Sequence, residues 1–245
     1  MERKVINMNG KLSLAGLVMP PTEETKVMKI SKAEHAAEPF KLESDIRLME
    51  EYYRSHQQYR NLLYFVCGIH FGLRVSDMLR LTWGSLLNND LTFREEIVIL
   101  EKKTAHTRKR SFNRHIAING RVKEIAIEYL EHQKLLGREI TLDTYLFRSE
   151  SNNSRGNAPM HRSKVDVFLK KAAKETGVAD RVRVSTHSVR KTFCYWSLRN
   201  GVSVGMLQKI LGHRSELQTL TYAGYTADTI RDAYENLTFE ERRVS

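Results

Sequence analysis

The stretch THSVRKTFCYWSLRNGVSVGMLQKILGHRSELQTLTYAGY, residues 186–225, decides how this sequence is interpreted. The polar side chains in it that could take part in a reaction are, in chain order, His187, Arg190, His213, Tyr222 and Tyr225. Two imidazoles, a guanidinium and a phenol are suited to an attack on a phosphodiester through tyrosine. That reaction also needs a second arginine and a proton donor, which must come from elsewhere in the chain.

The periodicity of the stretch predicts two helices. Val189, Phe193 and Trp196 recur at i, i+4 and i+7, so they form one apolar face that packs, and His187 and Arg190 are expected to point away from it. A second, short apolar helix over 204–211 is followed by glycine at 212, the residue type that commonly ends a helix. His213 is therefore expected just beyond a helix end.

The composition favours a polyanionic partner. Of 245 residues, 40 are Lys or Arg and 29 are Asp or Glu, which gives a net charge of +11. Each phosphate that a protein neutralises releases condensed counterions, so an excess of this size suits DNA, although a merely basic protein has the same charge. A membrane surface is disfavoured, because the sequence has no long basic amphipathic helix.

Cysteine usage and the N-terminal segment indicate a cytoplasmic, nucleoid-associated protein. Cys67 and Cys194 lie in apolar helical patterns without a CxxC pair, so both are expected to be buried free thiols, and no metal site is predicted. The apolar run 12–19 is too short for a signal peptide or a transmembrane span. No cofactor is expected, since neither a metal cluster nor a P-loop is found in the sequence.

The chain divides near residue 40. Residues 1–39 contain three of the four prolines and show no sustained period, so they are interpreted as an arm or linker. Residues 40–245 show helical periodicity interrupted by one β-hairpin, predicted over 96–118, and a short strand over 145–147. The predicted fold class is mainly α with a small antiparallel β-sheet. Further helices are expected over 122–136, 162–175 and 227–237.

Two upstream segments supply candidate groups for the same site. Ser76 is a plausible N-cap, which places Arg74 just outside a helix N-terminus, where backbone amides favour anions. The hairpin connection is too basic for a core turn and suits DNA binding, with a solvated basic loop as the alternative; its residues include Lys102, Lys103, Arg108, Lys109, Arg110 and Arg114.

These segments together resemble the catalytic domain of the tyrosine recombinases, the phage integrase family. Four pieces match in order: Gly72 to Asp77, Lys103-Thr104, His187-Ser-Val-Arg190, and Leu211-Gly212-His213 with Tyr222 nine residues later. Single pieces such as HxxR are weak signals. All four in this order, in a basic chain, are a specific one.

The resemblance implies a role for each matching residue. Arg74, Arg190 and His213 would hold the non-bridging oxygens of the phosphate, and a guanidinium suits this because it offers paired donors. Tyr222 would be the nucleophile. His187 would accept or steer its proton, Lys103 would protonate the leaving 5′ oxygen, and Asp77 would orient an arginine or a histidine; these assignments are those of the family's motif, carried onto His187, Lys103 and Asp77.

Each residue also has an ordinary structural explanation when taken alone. Arg74 could be a salt-bridge residue, His187 a satisfied histidine at a helix N-terminus, and Tyr222 a packed aromatic. Their joint occurrence in order favours catalysis. The choice of nucleophile stays open between Tyr222 and Tyr225, with Tyr222 at the family spacing.

The implied activity is site-specific recombination of double-stranded DNA through a covalent 3′-phosphotyrosine, in integration, excision or inversion. The implied assembly is a homo-oligomer on DNA, a tetramer in the family, with the helix 227–237 docking onto a neighbour and with an accessory DNA-bending protein as a further partner. The core-binding domain that usually precedes this catalytic domain has no counterpart in residues 1–39.

Two other functions fit parts of the pattern. A type IB topoisomerase would use the same covalent step without paired sites. A non-catalytic DNA-binding regulator would use 202–222 as a helix-turn-helix, but the residues after Gly212 are expected to form a poor helix.

Overall fold

A computed structural model describes residues 36–99, 113–150 and 156–225, together with residues 229, 231, 234 and 235. These residues belong to one compact unit, which begins at Ala36. The elements run in the order α1 (Glu43–Ser55), α2 (Tyr59–Phe71), α3 (Val75–Met78), α4 (Trp83–Leu86), β1 (Glu96–Ile99), β2 (Arg114–Ala117), α5 (Gly120–Leu135), α6 (Arg162–Glu175), a 3-10 turn (Val178–Asp180), α7 (Ser188–Arg199), α8 (Val204–Leu211) and α9 (Glu216–Tyr222). No helix within the described ranges is long and apolar enough to cross a membrane.

The predicted fold class is confirmed. Helices dominate the described residues, and β1 and β2 form a two-stranded antiparallel sheet in which Glu96 pairs with Ala117. The hairpin was therefore predicted correctly. In place of the strand predicted over 145–147, the structure has an isolated bridge between Thr82 and Tyr145, because the neighbouring segments pair with this one only at single residues.

Helix α2 is the centre of the core. Its residues from Leu62 to Cys67 are all buried, and a helix that is apolar on every side is stable only when other elements surround it. It packs against α1, α5 and α7. The approach to α7 is close at Gly68, where an added Cβ would lie 2.7 Å from the Cβ of Val189.

Helix α7 differs from its predicted amphipathic form. Val189 packs toward α2 as expected, but Arg190 and Cys194 are also buried, at 3% and 0% exposure. The reason is that α7 is packed against α2 and also against α8 and α9, where Cys194, Leu207 and other residues form a second, smaller apolar cluster. Its arginine therefore points into the protein, and both cysteines are free and buried, as predicted.

Two short helices also depart from expectation. Helix α3 is one turn long, and its N-cap is Arg74 rather than Ser76. Helix α9 forms where a poor helix was expected, since Ser215 caps it by accepting from the amide of Gln218, and Thr219 packs inside. The weak helical preference of this segment is overridden by capping and tertiary packing.

The first residues of the unit contact α7 and the turn that follows α9. Phe40 is fully buried, and its carbonyl accepts from the indole nitrogen of Trp196 at 2.9 Å. The ammonium of Lys41 donates to the carbonyl of Gly224 at 3.2 Å, and Pro39 packs on the same glycine. These contacts hold the turn that follows α9.

Candidate active site

Two arginines that are distant in sequence meet at one carbonyl. Arg190, on α7, donates from Nη2 to the carbonyl oxygen of Leu211 at 2.8 Å and from Nη1 to that of Gly72 at 2.6 Å. Arg74, the N-cap of α3, donates from Nη2 to the same Leu211 oxygen at 3.4 Å. The structure thus brings together the two guanidiniums that the sequence assigns to phosphate binding.

The carbonyl acceptors belong to the C-terminal ends of two helices. Leu211 is the last residue of α8, and Gly72 is the C-cap of α2; both helices end in a glycine with a left-handed φ, 67° at Gly212 and 55° at Gly72. The last carbonyls of a helix have no partner within it and carry its negative dipole end. They therefore help to stabilise the buried cation of Arg190.

Asp77 supplies the negative charge near these cations. Its side chain is 4% exposed, and its carboxylate acts electrostatically on Arg74, Arg190 and Arg114. Burial lowers the pKa of Arg74 and of Arg190, and Asp77 opposes that change in both. Three guanidiniums around one carboxylate leave a local excess of positive charge, which an incoming phosphate can neutralise.

Tyr222 is the last residue of α9 and lies against this cluster. Its phenol interacts electrostatically with the guanidiniums of Arg190 and Arg74. Burial raises the pKa of the phenol, while the positive charges of Arg190 and Arg74 lower it by a smaller amount. The nucleophile candidate is therefore held as a neutral phenol beside the cations that would stabilise its oxyanion.

Tyr225 has different surroundings. Its ring lies 6.3 Å from that of Tyr195 between centroids. Both tyrosines pack against the second cluster. Between the two candidates, the electrostatic interaction with Arg190 supports Tyr222.

His213 stands next to the Tyr222 ring. The ring centroids are 5.0 Å apart in an edge-on arrangement, and Nδ1 of His213 is 3.1 Å from the hydroxyl of Thr219. Burial lowers the pKa of His213 to about 4, with Arg190 and Arg74 adding to the effect. The imidazole is therefore neutral near pH 7 and can donate one hydrogen bond to a phosphate oxygen.

His187 lies at the N-cap position of α7 and is exposed. Its Nε2 is 3.3 Å from Nη2 of Arg162, at the start of α6. A guanidinium only donates, so Nε2 is the acceptor in this contact and its lone pair is directed at Arg162. An unprotonated Nε2 is the form that a base needs.

Several contacts in the site were missed by sequence reasoning. Arg162 next to His187 is one; Thr219 below His213 is another. A third is Lys191, whose ammonium lies 5.2 Å from the centroid of the Tyr222 ring and whose pKa is lowered by burial. The only indication in the sequence was that Lys191 directly follows Arg190.

The basic hairpin is only partly visible. Lys103, the expected proton donor, and the expected DNA-binding residues Arg108, Lys109 and Arg110 lie outside the described residues. Arg114 lies in β2 rather than in the connection, and its guanidinium is turned inward onto carbonyls of the α2 end. No group of three or more His, Cys, Asp or Glu side chains in the described ranges is arranged to hold a metal ion.

Comparison with known sequences now decides the family. The profile of the phage integrase family matches residues 42–228. The chain belongs to the phage integrase family. The recognition of a tyrosine recombinase catalytic domain from the sequence motifs is thereby confirmed, and neither the topoisomerase nor the regulator alternative is favoured.

Relatives within the family differ in how much of their length is shared. The probable integrase/recombinase YoeC of Bacillus subtilis is 29% identical over 201 residues, which are 82% of this chain and 97% of YoeC. The tyrosine recombinase XerC of Halalkalibacterium halodurans is 31% identical over 125 residues, 49% of this chain and 39% of XerC. The chain thus spans nearly all of YoeC and about two fifths of XerC.

Solved structures of integrases and recombinases share the fold. XerA recombinase superposes with a TM-score of 0.59 at 21% identity over 83% of this chain and 68% of XerA. A lambda integrase dimer bound to a COC′ core site superposes with a TM-score of 0.53 at 13% identity, over 86% of this chain and 64% of the integrase. At these identities the likeness shows the fold alone.

Proposed function

We propose that this protein is a site-specific DNA recombinase that cleaves and rejoins strands through Tyr222. The observation that carries the proposal is a convergence of groups: the guanidiniums of Arg190 and Arg74 share the Leu211 carbonyl, and the Tyr222 ring lies 5.0 Å from the ring of His213. Nucleophile and charge-stabilising groups thus form one contiguous cluster. Membership of the phage integrase family supports the assignment.

In the proposed cleavage step, the phenolic oxygen of Tyr222 attacks the scissile phosphorus. The bond from phosphorus to the 5′ oxygen breaks, and a 3′-phosphotyrosine and a free 5′-hydroxyl result. His187 takes the phenolic proton and Lys103 gives a proton to the 5′ oxygen, so charge and protons balance. Rejoining is the reverse attack by a 5′-hydroxyl, and the ester conserves the bond energy, so the step requires no nucleotide.

Stabilisation of the transition state falls to the cluster. The charge on the non-bridging oxygens grows as the pentacoordinate phosphorane forms, and Arg74, Arg190 and neutral His213 offer N–H donors to it. Donors of this type, fixed in advance in a site that excludes water, are typically worth about 3–4 kcal/mol each. Asp77 keeps the guanidiniums in place while the phosphate is absent.

The proposed partner is double-stranded DNA carrying a specific site, bound by an oligomer of this chain. The net charge of +11 supports a polyanionic partner. Among the proteins with this fold, XerH was solved on a palindromic difH substrate after cleavage, and the Tn1549 integrase with circular intermediate DNA. A tetramer, an accessory DNA-bending protein, a DNA-binding loop over 108–110 and an arm over 1–39 belong to the same proposal.

A covalent trapping experiment tests the function. Nicked duplexes that tile the DNA flanking the protein's own gene are incubated with it, so that a short 5′-hydroxyl fragment diffuses away after cleavage. We expect an SDS-resistant adduct on the 3′ phosphate. Trypsin leaves both candidate tyrosines on the peptide 215–231, so fragment masses identify the attached residue. Absence of any adduct across the flanking DNA contradicts the proposal.

A further inference from the structure

Arg114 occupies an unusual place for a hairpin arginine. It is the first residue of β2, yet its Nη1 donates to the carbonyl of Gly72 at 3.3 Å and its Nη2 donates to the carbonyl of Phe71. Phe71 is the last residue of α2 and Gly72 is its C-cap. The planar fork of Arg114 therefore closes the C-terminal end of the helix at the centre of the core.

The same end of α2 holds Arg190. The carbonyl of Gly72 accepts from Nη1 of Arg190 at 2.6 Å and from Nη1 of Arg114 at 3.3 Å. Two like charges on one acceptor repel each other, and burial adds to the cost of both. Asp77 offsets part of this repulsion, and the fork supplies donors to two helix-end carbonyls that an apolar side chain would leave unsatisfied. Through the shared Gly72 carbonyl, Arg114 is coupled directly to Arg190.

The geometry points to a positioning role. We propose that Arg114 fixes the Phe71–Gly72 turn in the orientation that aims Arg190 at the scissile phosphate, and that it acts through Arg190 rather than on the phosphate itself. Both arms of the Arg114 fork are engaged with carbonyls. Arg74 follows Gly72 by two residues, so the same turn also holds Arg74. This inference rests on the proposed recombinase function.

The variant Arg114→Lys tests it, because lysine keeps the charge but cannot span two carbonyls with a planar fork. In single-turnover cleavage of the nicked substrate we expect a loss of roughly tenfold to a hundredfold, the size that a displaced catalytic group produces. Affinity for the same duplex should stay within about twofold, since the net charge that attracts phosphates is unchanged.

A double-mutant cycle separates positioning from an independent effect. In an Arg190→Lys background, Arg114→Lys should cost less than about threefold, because residues that act through one another are not additive. Additive losses would overturn the proposal, as would full cleavage by Arg114→Lys alone. A wild-type chain that forms no adduct would instead refute the proposed function.

A matched control is Arg60→Lys. Arg60 is another largely buried arginine that donates to a backbone carbonyl, that of Arg148 at 2.8 Å, away from the site. Arg60→Lys should lose about as much thermal stability as Arg114→Lys does, while its DNA cleavage should be unchanged. A readout independent of cleavage is the Nε–Hε NMR signal of Arg190, identified by its absence in Arg190→Lys; Arg114→Lys should shift it, and an unmoved signal would contradict the proposal.

Discussion

Arg190 and Arg74 donate to the same carbonyl, that of Leu211, and the phenol of Tyr222 interacts electrostatically with both guanidiniums. The candidate nucleophile and the candidate phosphate-binding groups therefore lie together before any substrate is present. A phosphate bound by the two arginines would lie near the oxygen of Tyr222, which is the placement that proximity catalysis requires.

The first prediction concerns the choice of tyrosine. Tyr222→Phe should abolish covalent DNA attachment, since it removes the hydroxyl that lies beside the arginine cluster, whereas Tyr225→Phe should retain attachment. The two variants are matched, because each removes one hydroxyl from a residue that packs on the same small cluster. Adduct formation on the nicked duplex measures both. Attachment by Tyr222→Phe, with loss in Tyr225→Phe, would reverse the assignment.

Sequence reasoning could name the candidate site because its residues belong to local motifs. The helix predicted over 162–175 has the observed bounds, and Gly212 ends α8 as expected. Burial of Arg190 was missed, since its acceptors are carbonyls at the ends of α2 and α8, and no periodicity reveals where a helix end will lie in space. Helix α9 was missed because capping by Ser215 and packing of Thr219 outweigh a weak local preference.

The second prediction follows from the neutral form of His213. Burial, and then Arg190 and Arg74, lower its pKa to about 4. An unfolded chain binds that proton near pH 6.5. Between about pH 6.5 and 4 the unfolded state therefore holds more protons, so the free energy of unfolding falls as the pH drops through this window and is unaffected above it. His213→Gln should reduce that fall.

The titration itself is measured by NMR on the Cε1 proton of His213. We expect a midpoint near pH 4 in the wild type. Arg74→Met should raise the midpoint, because it removes one of the two cations that disfavour imidazolium. A midpoint near pH 6.5 in the wild-type protein would contradict the prediction, because it would show that burial and the two arginines do not disfavour the imidazolium form of His213.

The third prediction concerns the close approach of α2 and α7 at Gly72. An alanine Cβ there would lie 2.2 Å from the Phe193 ring, at a φ of 55° that L residues rarely adopt. Gly72→Ala should therefore lower the free energy of unfolding through both strain and overpacking. Gly137→Ala is the control, because Gly137 has a similar φ of 63° and nothing within 4 Å.

The difference between these two variants isolates the collision with Phe193. We expect Gly72→Ala to be less stable than Gly137→Ala by about 1–3 kcal/mol, the usual cost of overpacking a core. Urea denaturation at constant slope provides the measurement. Equal losses would mean that Phe193 moves aside freely, and that Gly72 is needed for its backbone conformation only.

The fourth prediction tests the proton donor. Lys103→Ala should slow cleavage of an ordinary phosphodiester, because the 5′ oxygen then leaves as an alkoxide. A substrate with sulfur in place of the bridging 5′ oxygen needs no acid, since a thiolate leaves readily. Cleavage of the thio substrate should therefore be restored in Lys103→Ala. Lys109→Ala, from the same basic segment, serves as the control and should cleave both substrates. A failure of rescue would remove Lys103 from the acid role.

The last prediction addresses the C-terminal segment and the proposed oligomer. Ile230, Ala233, Tyr234 and Leu237 recur at helical spacing, and Tyr234 is 78% exposed. In the proposed oligomer, this exposed aromatic side chain would contact a neighbouring copy. Deleting residues 227–245 should leave strand cleavage detectable, because Tyr222 and its contacts precede the deletion, but should block recombination between two sites.

Tyr234→Ser should also weaken recombination, whereas Leu135→Ser, at an exposed residue of α5, should not. Product formation from paired sites, measured beside adduct formation on one site, separates the two steps, and full recombination by the truncated chain would refute the docking role.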